Sequence, residues 1–141
     1  MKKNSRSSVA LHSLVSLVKA DRPLTSEELG ECQNTNPVII RKVLGELKKK
    51  GIVSSEKGHG GGWVVLKSPK EISFHDIFQA LNESLLPPGI SLDKDEHCLI
   101  MKSVAETMDD FLIDAKILLE KKFKKILLQD IVDGIKTHRF Y

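Results

Sequence analysis

NPVIIRKVLGELKKK, residues 36–50, closed by Gly51, is the stretch whose reading decides the fold. Asn36 is a good N-cap, Pro37 suits a first helical position where no N–H is needed, and Gly51 stands where a left-handed glycine stops a helix. The spacing divides the helix into two faces. Ile40, Val43, Leu44 and Leu47 fall at i, i+3, i+4 and i+7 and pack on a core, while Val38, Arg41, Lys42, Gly45 and Lys49 turn the other way. That outer face is cationic, and slender residues mark its N-terminal end. The combination suits a DNA groove, although on helix chemistry alone a basic outer face is more often plain solvated surface. The flanking sequence has to decide between them.

Upstream, Leu11, Leu14, Val15 and Val18 repeat at helical spacing and predict a first helix over about residues 7–20. His12, Ser13 and Ser16 interrupt its apolar part, which favours a core-packing helix over a signal peptide. Asp21-Arg22-Pro23 breaks the pattern, and Thr25 or Ser26 caps a short second helix to about Gln33. Glu27 and Glu28 lie in its first turn, where the helix dipole favours anions, and Leu29 with Cys32 falls on one side, so Cys32 is expected in the core. The turn Gln33-Asn34-Thr35 then leads straight into the Asn36 helix. Helix, tight turn, helix is the arrangement in which the second helix reads the major groove.

Downstream, residues 52–55 and 63–66 read as strands around the glycine-rich turn 56–62. A phosphate-cradling loop would need a following helix and typically a Lys-Ser/Thr pair, and here a strand follows. Three helices and a hairpin make a winged helix-turn-helix, with Lys57 and His59 on a wing able to reach backbone or minor groove. The same glycines also serve a tight turn.

Asn34-Thr35-Asn36-Pro37-Val38, the run from Leu47 to Gly51 before Ile52-Val53, Lys57-Gly58-His59-Gly60-Gly61-Gly62-Trp63 and Ile72-Ser73 together resemble the bacterial Rrf2 family of transcriptional regulators, the group of IscR, NsrR and CymR. The likeness spans residues 6 to about 83 closely and the remainder in layout. It implies a homodimeric winged-helix regulator, usually a repressor, whose partner is double-stranded DNA. It places Val38, Arg41 and Lys42 where family members address bases and Lys57 where a basic wing enters the minor groove. The implied DNA-contact set is Thr35, Asn36, Pro37, Val38, Arg41 and Lys42 with Lys57, Gly58, His59 and Gly60. An arginine at position 41 has the donors to read O6 and N7 of guanine. Many relatives hold an iron–sulfur cluster with three cysteines before the long helix; only Cys98 lies there, so no cofactor is expected.

Residues 73–83 read as a fourth helix, with Ser73 and Asp76 as a capping box and Phe74, Ile77, Phe78 and Leu81 on a core-facing stripe. Residues 85–97 form an acidic linker around Pro87-Pro88-Gly89. Residues 98–123 read as the longest helix, striped by Met101, Val104, Met108, Phe111, Ala115 and Leu118 and widened by Ile100, Ala105, Leu112 and Leu119. That stripe is expected to meet a partner subunit, with packing against the first and last helices as the alternative or the complement. A short last helix, carrying Leu128, Ile131, Val132 and Ile135, is expected to end near Gly134; the basic-aromatic tail beyond it has no assigned role. The fold class is therefore mainly α with a small β-hairpin. Residues 1–83 are the DNA-binding domain, 84–97 the linker and 98–141 the dimerisation region.

Charge agrees with this division. Residues 1–70 hold 13 Lys and Arg against 6 Asp and Glu, a balance of +7, and residues 71–141 hold 9 against 13, a balance of −4; together they give the net +3. Aromatic residues make up only 5% of the chain, which argues against stacking on single-stranded bases. There is no run of 18 apolar residues, and two distant cysteines suit a reducing cytoplasm, so a soluble, cytoplasmic protein without a membrane partner is expected. Asp93, Asp95, Glu96, His97 and Cys98 are adjacent, which makes a solvated linker a better reading than a metal site. Cys98, at a helix start, is either a redox-sensitive thiol or a plain cysteine near the dimer contact. The five histidines are scattered without catalytic partners, so no enzyme is expected. The alternative function is a winged-helix protein-interaction module whose DNA binding is controlled by a partner protein, and under either reading an unidentified protein or small-molecule effector is a further expected partner.

Overall fold

The computed structural model describes residues 2–57, 62–86 and 97–137. Its elements run α1 (Arg6–Ala20), α2 (Ser26–Gln33), α3 (Pro37–Lys49), β1 (Val53–Ser55), β2 (Trp63–Val65), α4 (Phe74–Ala80), α5 (Leu99–Phe123) and α6 (Leu128–Thr137). None of these helices is long and apolar enough to cross a membrane.

Local chemistry sets the ends of α2. Thr25 Oγ1 accepts the Glu28 N–H at 3.1 Å while the Glu28 carboxylate accepts the Thr25 N–H at 2.8 Å, a reciprocal cap. The Thr25 N–H, followed by Arg22, holds the Glu28 carboxyl below the usual carboxylate range. Ser26 serves the hairpin instead, its Oγ accepting the Trp63 indole N–H at 2.9 Å. At the other end Asn34 turns left-handed (φ 53°), and the Thr35 N–H reaches back to the Gly30 carbonyl at 2.8 Å. A Cβ on Gly30 would lie 2.6 Å from the Thr35 carbonyl oxygen, so the turn closes this tightly only over glycine.

The buried line of α2 is Ser26, Leu29, Gly30 and Gln33. Cys32, expected in the core, is instead exposed. It sits one residue, about 100° of helix rotation, away from Gln33. The position inside goes to Gln33, whose amide donates to Ser13 Oγ at 2.7 Å within the buried interior. Cys32 rests near His12, Sγ to Nε2 3.7 Å.

For α3 the expected core face holds: Ile40, Val43, Leu44 and Leu47 are all buried. Gly51 (φ 72°) follows it in the left-handed region. β1 and β2 pair antiparallel in the register Val53↔Val65, Ser54↔Val64, Ser55↔Trp63. Residue pattern alone does not announce a further partner for the hairpin, yet Leu24 bridges Trp63 through bonds of 2.8 and 3.2 Å, tying β2 to the α1–α2 connection.

α4 is shorter than expected. Asn82 adopts φ 52° and the Glu83 N–H bonds the Phe78 carbonyl at 3.1 Å, which closes the helix before residue 83. Ile77 and Leu81 are buried, but Phe74 and Phe78 are only half-buried and form a cluster with Phe123 of α5, at centroid distances of 6.1 and 5.3 Å. They join α4 to the end of the long helix rather than filling the core.

α6 also departs from expectation, running through Gly134 to Thr137. Leu128 and Val132 belong to the core shared with α1, α3 and α4, and Ile131 and Ile135 pack against it, so tertiary burial outweighs the roughly 1 kcal/mol cost of a helical glycine. The chain returns there through bonds from Leu128 N–H to the Ile72 carbonyl and from Phe74 N–H to the Ile126 carbonyl, both 2.8 Å.

Candidate nucleic-acid interface

The helix-turn-helix places the start of α3 at the surface. Asn36 Oδ1 accepts the Val38 N–H at 2.9 Å, so one donor of the first turn is used by the cap. Thr35 is half-buried, and its hydroxyl donates to Asn4 Oδ1 at 3.2 Å and to the Gln33 carbonyl at 3.3 Å. It is thereby tied to the turn as well as to the N-terminal segment. Pro37 opens the helix. Val38 is 50% exposed and the adjacent Ile39 43%, an apolar pair at the tip of which helical spacing singles out only Val38, because Ile39 lies between the two faces. Apolar side chains here are the type that meet thymine methyl groups in a major groove.

Arg41 and Lys42 are exposed on the outer face. Among the described residues three ion pairs are found, and Arg41 makes one of them, donating through Nη2 to Glu27 Oε1 on α2. Within its own helix Glu27 serves only the dipole. Its contact with a side chain 14 residues later arises only when α2 and α3 pack. The other two pairs are Arg6–Glu46 at 2.9 Å, which ties α1 to the far side of α3, and Arg22–Glu28 at 3.2 Å. Lys48 donates to Ser55 Oγ at 2.8 Å, joining α3 to β1. Lys57 is exposed at the edge of the wing; Gly58, His59 and Gly60 lie outside the described residues.

The long helix α5 presents a second surface. Ala105 is its one fully buried residue among those described. Met101 is 44% exposed, Val104 39%, Phe111 61% and Leu118 56%, while Met108 and Ala115 are half-buried on the same stripe. Ile113 and Ile117 are also exposed, on the other flank of the buried line.

Cys98 occupies the N-cap position of α5 and is exposed. The backbone N–H groups of Met101 and then Ile100 hold its thiol below the usual cysteine range, because they stabilise the thiolate. Alkylation of Cys98 by iodoacetamide, followed by mass spectrometry, is therefore expected to show a pH midpoint below that of N-acetylcysteine. An equal or higher midpoint would remove this account of the helix start.

The sequence matches the Rrf2 family model, described as iron-dependent transcriptional regulators, over residues 3–134. It is 27% identical over 132 residues to YwnA of Bacillus subtilis, named as an HTH-type transcriptional regulator, covering 94% of this chain and 98% of that protein. A transcriptional regulator from Lactobacillus plantarum has the same architecture, with a TM-score of 0.74 at 25% identity over 94% of this chain and 91% of its own. CymR, the global cysteine regulator of Bacillus subtilis, shares the fold, with a TM-score of 0.70 at 18% identity over 95% and 98% of the two chains. The relatives are regulators rather than enzymes.

The donors present do not fit a cysteine-held iron centre. Such clusters take four cysteine ligands or a mixed cysteine–histidine set, and this chain has only Cys32 on α2 and Cys98 at the start of α5. Among the described residues no three His, Cys, Asp or Glu side chains come together as a metal set; Asp93, Asp95 and Glu96 lie outside those residues. With a winged helix-turn-helix, a long C-terminal helix and a family match over nearly its whole length, the chain belongs to the Rrf2 family of HTH-type transcriptional regulators.

Proposed function

We propose that the protein is a sequence-specific DNA-binding repressor that acts in the cytoplasm as a homodimer on an inverted-repeat operator. The observation that carries this reading is the outer face of α3, where Val38, Arg41 and Lys42 project from a helix whose opposite face is buried. Thr35, Asn36 and Pro37 set the entry of that helix, and Lys57, Gly58, His59 and Gly60 are the residues proposed to contact the backbone or minor groove beside it. Residues 1–83 act as the DNA-binding unit, 84–97 as the connector and 98–141 as the region of self-association. Met101, Val104, Met108, Phe111, Ala115 and Leu118 form the dimer stripe, and two modules on one two-fold axis read two half-sites. Cys98 is a thiol through which oxidants would act, and a small molecule or partner protein sets the DNA affinity.

Selection from a random duplex pool by the purified protein, at fixed salt with and without reductant, tests the reading. Enrichment of an inverted repeat is expected, with affinity falling steeply as salt rises. In the double variant R41E/K57E, affinity for the enriched site is expected to drop about 100-fold or more, because two attractive contacts per protomer become repulsive. No enrichment would leave the interaction-module alternative in its place, and an affinity unchanged by the reversal would move the DNA contact away from Arg41 and Lys57.

A further inference from the structure

The ion pair between Arg41 and Glu27 joins the outer face of α3 to the first turn of α2. Both side chains are about half exposed, 51% for Arg41 and 60% for Glu27. A pair so placed contributes little to stability. Its position is nevertheless well fixed. α2 is capped at both ends by its own hydrogen bonds, Gly30 lets the turn close directly onto α3, and Leu29 anchors α2 in the core. Glu27 therefore projects from a backbone held in a set place, with its carboxylate beside the cation assigned to base reading. Lys42 and Lys49, on the same outer face, have no carboxylate partner among the described ion pairs.

We propose that Glu27 is a positioning residue for base recognition: it holds the Arg41 guanidinium toward the major groove and disfavours its use as a phosphate contact. The inference rests on the DNA-reading role proposed for α3. Arg41 gives Glu27 one hydrogen bond from Nη2, and the guanidinium edge turned away from that carboxylate, formed by the second Nη2 N–H with a neighbouring N–H, is left for the O6 and N7 acceptors of guanine. An untethered arginine at the same place would sample phosphate oxygens, which bind every sequence alike. The tether restricts that sampling before DNA arrives. The carboxylate also repels the backbone, so binding to unrelated duplexes is weakened more than binding to the right one. That is a gain in specificity obtained at some cost in affinity.

The test uses the full-length protein and the duplex enriched by the unmodified chain, with each base pair of a half-site substituted in turn. Unmodified protein, E27A, E27Q, R41A and E27A/R41A are compared by fluorescence anisotropy at one salt concentration, after circular dichroism has shown each to be folded. The unmodified protein is expected to lose roughly tenfold in affinity when one guanine is replaced, in the range for a good bidentate arginine contact. R41A should flatten that position to about twofold or less. E27A should lose most of the same discrimination, at the same position only, while binding an unrelated duplex about two- to threefold more tightly. E27Q, which retains an acceptor oxygen, should recover part of the discrimination. The double variant should match R41A in discrimination at that position, since Glu27 influences base reading only through Arg41, while binding all duplexes somewhat more tightly for want of the repelling carboxylate.

If E27A kept full discrimination where R41A lost it, the inference would fail while the reading of α3 stood. If E27A lost discrimination evenly at all positions, its role would be structural and the inference would again fail. An R41A protein with no position-specific loss would overturn both the inference and Arg41 as a base reader. Absence of any enriched duplex would overturn the DNA-reading role itself.

Discussion

The double variant F111E/L118E is expected to be a folded monomer that binds a two-half-site operator roughly 100-fold or more weakly than the unmodified protein. Phe111 and Leu118 lie seven residues apart on one stripe of α5 and are 61% and 56% exposed. In a monomer their replacements would sit in water, so the fold has little to lose. In a dimer with that stripe at its centre, each glutamate would be desolvated against an apolar surface without a partner. Loss of the second module removes its effective concentration, in the millimolar range for a short connection, and that factor alone accounts for the drop. Sedimentation equilibrium and anisotropy on the enriched duplex measure the two consequences. A variant that stayed dimeric would move the self-association surface elsewhere, with the flank of Ile113 and Ile117 the next to test.

The substitution Leu44→Ala is expected to destabilise the fold by about 3 kcal/mol, against a total of about 5–15 kcal/mol for a domain of this size. Leu44 is fully buried on the inner face of α3, within a core that includes side chains of α1, α4 and α6. The loss combines the transfer term with a cavity that rigid neighbours only partly fill. Val38→Ala, on the outer face of the same helix, should change stability by no more than about 0.5 kcal/mol while weakening DNA binding. Urea unfolding at a fixed protomer concentration checks both, since any dimer makes the midpoint concentration-dependent. A Leu44→Ala loss below about 1 kcal/mol, by the same scale, would show that this helix is not packed as described.

The two faces of α3 were legible in the sequence because each depends on neighbours within two turns. Asn36 and Gly51 mark its ends by conformational preference, and a period of about 3.6 residues separates Ile40, Val43, Leu44 and Leu47 from Val38, Arg41 and Lys42. The capping box of Ser73 and Asp76 was legible for the same reason, with bonds of 2.9 and 3.1 Å over three residues. The winged helix-turn-helix followed from the order of such elements, and the family resemblance rested on the same short motifs.

Tertiary structure decided what periodicity in a short helix leaves ambiguous. Over the eight residues of α2, apolar spacing pointed to Leu29 and Cys32, whereas the rotation of the helix against α1 buried Gln33 on Ser13 and left Cys32 outside. Gly134 looked like a stop, and packing of Leu128, Val132 and Ile135 against the common core carried the helix past it. The pairing of Glu27 with Arg41 joins side chains of opposite charge on two separate helices. The sequence determined by itself where α3 begins and ends and which side faces inward, since caps and helical period act over a few residues. Only the packing of α2 on α3 decided which anion would stand beside Arg41, because that depends on the angle at which two helices meet.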